Sequence, residues 1–147
     1  METADLKAVA ELELEAFSDA WNENMLAEEL NNPLTTYLVM ECANEIVGYA
    51  GYWLVAGEAQ ITRVAVFKKH RGNGWGECLT EALLQKAWSM EAEAVTLEVR
   101  ENNIVAQKAY LKNGFNQSEI KYRWQNEDYV ILSKGNISNE EFWQFWK

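Results

Sequence analysis

The sequence is poor in the residues that build metal centres, disulfides and linkers. Its 147 residues include one proline (Pro33), one histidine (His70) and two cysteines (Cys42 and Cys78). The cysteines stand at no metal-binding or redox spacing, so no metal is expected and the thiols are read as reduced. Low-complexity tracts, internal repeats and Ser/Gly-rich linkers are all missing, and a single domain is expected to occupy 1–147. No apolar run approaches the ~18 residues needed to span a bilayer. The first residues, Met1-Glu2-Thr3-Ala4-Asp5, are acidic where a signal peptide is basic. A cytoplasmic protein with no membrane partner is therefore expected. Cationic residues are also scarce early on: residues 1–58 hold twelve Asp or Glu against Lys7 alone, in a chain of net charge −10. This disfavours direct nucleic-acid binding. It would attract a cationic partner, although the same acidity would serve solubility.

What the chain does have is apolar mass. It is 48% hydrophobic, with seven Trp, six Tyr and five Phe, enough for a core. The most informative stretch is ITRVAVFKKHRGNGWG, Ile61 to Gly76. Ile61, Val64, Val66 and Phe67 read as a mostly buried strand. Gly72, Gly74 and Gly76 then form a turn. Beyond it Trp75, Cys78, Leu79, Ala82, Leu83, Lys86 and Ala87 recur at helical spacing. Strand, glycine turn and helix N-terminus together suit an anion, because glycine lets the backbone approach closely and the first helical turn offers N–H donors at a positive dipole end. Charge agrees: residues 59–76 contain no acid, while Arg63, Lys68, Lys69 and Arg71 supply +4. A solvated basic loop with glycines kept for tight turning is the alternative. No Lys-Ser or Lys-Thr pair follows the glycines as in a phosphate-binding P-loop, and Glu77 stands where a dinucleotide fingerprint needs glycine.

Leu6, Val9, Ala10, Glu13, Leu14 and Phe17 mark an amphipathic helix with Asp5 as N-cap, and a shorter helix is expected from Asn22 to Leu30, ended by Asn31-Asn32-Pro33. Strands are expected over Thr35–Cys42 and Ile46–Val55, joined by Ala43-Asn44, with Ala56-Gly57-Glu58 leading into the strand of the glycine turn. After the long helix, Val95–Arg100 is expected as a strand returning beside Ile61–Phe67 by a right-handed crossover. Asn103–Asn113 reads as a helix closed by Gly114. Phe115–Trp124 and Tyr129–Ser133 read as a hairpin over residues 125–128. Ser138 and Glu141 form a capping box opening a short aromatic helix over 138–147. The fold class is α/β, with a mixed, mostly antiparallel sheet, a parallel central pair and flanking helices.

Glu98 breaks the apolar pattern of its strand. Thr96, Glu98 and Arg100 share one face and Val95, Leu97 and Val99 the other. The carboxylate either pairs with a neighbour such as Arg63 or Arg100 or lines a cleft. Tyr110, on the following helix, fits a core aromatic with a satisfied hydroxyl just as well as a functional one.

Two motifs carry a resemblance. The run Arg71-Gly72-Asn73-Gly74-Trp75-Gly76 resembles the R-G-x-G-x-G pyrophosphate-binding motif of the GNAT superfamily of acetyl-CoA-dependent N-acetyltransferases. Leu97-Glu98-Val99-Arg100-Glu101-Asn102-Asn103 followed by Ala109-Tyr110-Leu111-Lys112-Asn113-Gly114-Phe115 resembles the signature of its RimI type, which acetylates the N-terminal alanine of a small-subunit ribosomal protein. The resemblance implies acetyl-CoA as cosubstrate, Glu98 as general base and Tyr110 as general acid. It implies Arg71, Gly72, Asn73, Gly74, Trp75 and Gly76 as the pyrophosphate cradle, backbone groups of Val64, Ala65 and Val66 holding the pantetheine and thioester, and Asn103 as a cofactor or active-site contact. Trp21, in Ala20-Trp21-Asn22, is implied as part of the acceptor wall, with Arg63 and Tyr122 as further substrate-side residues.

The implied chemistry needs those residue types. An α-amine is largely protonated at neutral pH, so a carboxylate, directly or through water, must take a proton before nitrogen attacks the thioester. A backbone N–H near Val66 would serve the developing oxyanion, and a phenol would protonate the departing thiolate. The acceptor is expected to be a peptide N-terminus. A small amine such as an aminoglycoside or polyamine fits the acidic N-terminal part as well, and a non-catalytic acyl-CoA-binding module would need neither Glu98 nor Tyr110.

Overall fold

The computed structural model describes residues 1–135. After a short 3-10 turn at Thr3–Asp5 come α1 (Leu6–Ala16), α2 (Glu23–Leu30), β1 (Thr35–Cys42), β2 (Glu45–Val55) and β3 (Glu58–Val66). A second 3-10 turn, Lys68–His70, precedes α3 (Trp75–Ser89), β4 (Ala94–Arg100), α4 (Ile104–Lys112), β5 (Asn116–Trp124) and β6 (Glu127–Gly135). The six strands take the order β1-β2-β3-β4-β6-β5. β1 with β2, β4 with β6 and β5 with β6 run antiparallel, and β3 with β4 runs parallel. This is the expected α/β class with a parallel central pair. The aromatic helix expected over 138–147 lies outside the described residues.

The chain forms two compact units. The first comprises Met1–Trp53 and Thr62–Leu83. Its core joins Leu6, Val9 and Leu12 of α1 to Leu26 of α2 and to Tyr37, Tyr49 and Ala65 of the strands. Helix α2 starts where the Asn22 side chain accepts a bond from the Met25 N–H at 2.9 Å, satisfying a donor that has no partner inside the helix. Asp5 behaves differently from the expected N-cap. Its carboxylate accepts from the Glu2 N–H at 2.7 Å, because the 3-10 turn comes first and has its own orphan donors. The Ala43-Asn44 connection has positive φ at both residues, 51° and 64°, the twist that suits a two-residue hairpin.

The second unit comprises Leu54–Ile61 and the described chain from Leu84 onward. Strand β4 is buried along most of its length, and its neighbours are β6 over seven residue pairs and the start of β3. The parallel pairing joins Glu58, Ala59 and Gln60 to Ala94, Val95 and Thr96, not to Ile61–Phe67 as expected. β3 begins three residues early because Ala56 and Gly57 take positive φ and turn straight into it, and the Gly57 carbonyl accepts from the Glu93 N–H at 2.7 Å. The β5–β6 hairpin also differs. Its turn is the pair Gln125-Asn126, at φ 49° and 63°, so residues 127 and 128 belong to β6 and Trp124 opposes Glu127. Gly114, at φ +87°, closes α4 as expected.

Candidate active site

In the first unit, the path from β3 into α3 is built from short-range bonds. The Arg71 guanidinium turns back and donates through Nε to the Val66 carbonyl at 3.0 Å, and Asn73 donates to the His70 carbonyl at 3.3 Å. Lys68 N–H is held by the Glu15 carboxylate. Gly72 and Gly74 sit at φ +85° and +79°, where side-chain-bearing residues are strained. A Cβ built on Gly72, Gly74 or Gly76 meets nothing within 4 Å, so the space against this backbone is open. Open backbone, a helix N-terminus and exposed Lys68, Lys69 and Arg71 make a cradle that fits a pyrophosphate. Ala65 is buried, whereas Val64, Val66 and Trp75 are half-buried.

A second group in the same unit was only half visible in the sequence. Arg63, on β3, donates through Nε to Glu13 Oε1 at 3.1 Å and through Nη2 to the Asp19 carbonyl at 3.2 Å, with the Asp19 carboxylate 3.7 Å away. Its guanidinium lies over the rings of Phe17 and Trp21, 4.3 and 4.2 Å from their centroids. Trp21 also meets Tyr37 edge-on. Glu13 is fully buried, and its carboxyl is pushed above the usual carboxylate range by burial, against the pull of the Arg63 charge. The Tyr49 hydroxyl and the Trp21 backbone N–H also face this carboxyl and favour its charged form, against the effect of burial. Burial, followed by the Glu13 charge, raises the Tyr49 phenol. Glu13 stands at the i+4 position from Val9 on the apolar face of α1, and that place on the face was the available signal.

In the second unit, Glu98 is exposed between the buried Leu97 and Val99 of its strand and accepts from the Tyr122 hydroxyl at 2.5 Å. Tyr122 stacks on Tyr129, with ring centroids 5.0 Å apart and planes at 9°, and the pair are cross-strand neighbours in the β5–β6 hairpin. Burial first, then the bond to Glu98, raises the Tyr122 phenol. The two arginines suggested as partners for Glu98 have strong ties elsewhere: Arg100 Nε to Glu127 at 2.7 Å, and Arg63 to Glu13. Tyr110 packs edge-on against Phe115 at 5.7 Å, and burial pushes its phenol up to about 12, so it stays protonated at neutral pH. Asn103 caps α4, its Oδ1 accepting from the Ala106 N–H at 3.2 Å.

Among the described residues no group of three or more His, Cys, Asp or Glu is placed to hold a metal ion. No described helix is long and apolar enough to cross a membrane.

The family model for the acetyltransferase (GNAT) family matches residues 6–115. A Bacillus subtilis protein named as a provisional ribosomal protein bS18-alanine N-acetyltransferase is 34% identical over 136 residues, covering 90% of each chain. The ribosomal protein bS18-alanine N-acetyltransferase of Haemophilus influenzae is 30% identical over 123 residues, 82% of each chain. Among solved structures, the ribosomal-protein-S18-alanine N-acetyltransferase of Escherichia coli superposes with a TM-score of 0.81 at 25% identity, over 95% of this chain and 94% of the other.

Proposed function

The chain belongs to the GNAT family of acetyltransferases, and from that premise we propose that its acceptor is the α-amine of an N-terminal alanine on a small-subunit ribosomal protein or a similar peptide. The chain is an acetyl-CoA-dependent N-acetyltransferase, as its family and its named relatives are. The observation that carries the acceptor is the 34% identity, spread over nine-tenths of both chains, with the Bacillus subtilis protein. The acidity of residues 1–58, twelve acids against one lysine, supports a cationic peptide as acceptor and disfavours nucleic acid. It equally supports a second reading, a small polyamine or aminoglycoside acceptor. We read the chain as a single acetyltransferase domain over 1–147, of which the family match spans residues 6–115.

Bound acetyl-CoA supplies an activated acetyl thioester. The backbone N–H groups of Gly72, Gly74 and Gly76 hold its pyrophosphate, with Arg71, Asn73 and Trp75 completing that loop, and backbone groups of Val64, Ala65 and Val66 hold the pantetheine arm. Glu98 takes a proton from the incoming ammonium, directly or through one water. The Tyr122 hydroxyl, donating to Glu98 Oε2, fixes that carboxylate's rotamer and leaves Oε1 to receive the proton. Tyr110 keeps its proton at neutral pH and delivers it to the sulfur as the thiolate leaves. Asn103 holds the first turn of α4, the helix that carries Tyr110. Trp21 belongs to the proposed acceptor wall.

The test is mass spectrometry of acceptors incubated with enzyme and acetyl-CoA. Basic peptides with free N-terminal Ala, Ser or Met are set beside N-terminally blocked lysine peptides and polyamines. One acetyl group on the α-amine of the Ala peptide is the expected product. Acetylation of polyamines alone would replace this reading with the small-amine one.

A further inference from the structure

Arg63 lies on β3 yet spends its guanidinium on the connection between α1 and α2. Each polar contact leads to the same place. Nε meets Glu13, in the last turns of α1, at 3.1 Å, and Nη2 meets the Asp19 carbonyl, in the middle of the connection, at 3.2 Å. The flat faces are used too, lying over Phe17 and Trp21 at either end of the segment. Its side chain is 10% exposed and that of Glu13 is 0% exposed. An arginine used this fully has little left to offer a ligand. Its fixed, planar fork is instead suited to holding several groups at once, which the flexible point charge of lysine is not.

The segment needs such a hold. Residues 17–22 carry Ser18, Asp19 and Ala20 between two helix ends, with few backbone bonds of their own. The Phe17 N–H closes α1 on the Glu13 carbonyl, and the Asn22 carbonyl and side chain open α2. Between these two anchors, Arg63 supplies the bond to Asp19.

We propose that Arg63 is a positioning residue, a clamp that fixes the 17–22 segment and so presents Trp21 and its neighbours as a preformed wall for the acceptor peptide, with buried Glu13 holding the clamp in place. The proposal rests on the reading of this segment as the acceptor wall. A preformed wall lowers the ordering cost of binding and so acts on acceptor affinity rather than on the chemical step. Glu13 is out of reach of any ligand, so an effect at Glu13 must travel through the groups it holds, Arg63 and the Trp21 backbone.

The variants are Arg63→Lys and Glu13→Gln. Arg63→Lys keeps a cation opposite the buried carboxylate and so protects the fold. Glu13→Gln keeps the shape and an acceptor oxygen. Loss of a charge-assisted bond predicts about a ten-fold rise in acceptor KM for the Ala-started peptide. kcat and the KM for acetyl-CoA should stay within about two-fold of wild type, and amide exchange at residues 18–21 should speed up by about the same ten-fold in both variants. Unchanged exchange at 18–21 would overturn the clamp. Faster exchange with an unchanged acceptor KM would overturn its role in acceptor binding. A rise in KM for Arg63→Lys but not for Glu13→Gln would mean that Arg63 touches the acceptor itself, again overturning the proposal. A wild-type chain that acetylates no acceptor would refute the proposed activity, and the exchange measurement would still decide the clamp.

Discussion

Replacing Gly76 by alanine is expected to stabilise the ligand-free chain while weakening its hold on acetyl-CoA. Gly76 is the second residue of α3, its φ lies outside the left-handed region, and a Cβ there meets nothing within 4 Å. With no clash and no backbone strain, alanine gains the helical preference over glycine, about 0.5 kcal/mol this close to the helix end. For a chain of this size that is a rise in Tm of about 1–2 °C. In the bound state the same methyl occupies the space through which the pyrophosphate approaches the N–H groups. Losing one charge-assisted bond corresponds to about 1.5–3 kcal/mol, a ten- to hundred-fold increase in Kd. Gly74→Ala is the contrast. At φ +79° it should cost about 1–2 kcal/mol in the ligand-free chain, so it lowers Tm and affinity together. Thermal melts without ligand and calorimetric titration with acetyl-CoA separate the two terms. A Gly76→Ala chain that binds acetyl-CoA as tightly as wild type would refute the cradle.

Tyr122→Phe removes the donor 2.5 Å from Glu98 Oε2 but keeps the ring stacked on Tyr129, so kcat should fall about ten-fold while stability moves by less than about 0.5 kcal/mol; steady-state kinetics beside a urea titration check both. For Glu13, burial lifts the folded-state carboxyl above its ordinary 4.5, so just above that pH the folded chain holds a proton the unfolded chain has released. Its contribution is therefore fully present below 4.5 and is lost as pH rises through the folded value. The stability of wild type minus that of Glu13→Gln, from urea unfolding at several pH values, should decline over that window, and a difference that grew with pH would contradict the assignment.

Sequence alone gave most elements because local chemistry and tertiary packing agree there. Helix α2 ends at Leu30 and begins one residue past Asn22, β1 occupies Thr35–Cys42, and Gly114 takes the left-handed position at the end of α4. Where they part, it was less informative. The Gln125-Asn126 turn carries no glycine, so its two positive φ values were not marked, and the hairpin loop was read two residues too long. The parallel register of β4 depends on where Ala56-Gly57 releases β3, which hydrophobic periodicity does not encode. At the site, Glu98 stood out as a carboxylate on a buried strand, but its bond to Tyr122 depends on the cross-strand register of a distant hairpin. Arg63 and Glu13 are fifty residues apart, and only the packed first unit makes them partners. The glycine turn, by contrast, is local chemistry: Gly72 and Gly74 take the positive φ that glycine permits, directly before the helix the periodicity marks.

Glu98 is the proposed group that takes the amine's proton. The direct measurement is single-turnover acetyl transfer to an Ala-started peptide by Glu98→Gln at saturating acetyl-CoA, with the acetyl-CoA Kd measured on the same protein. The expected rate is about 10²- to 10⁴-fold below wild type with Kd unchanged. A Glu98→Gln chain that transfers acetyl groups at the wild-type rate would contradict this role.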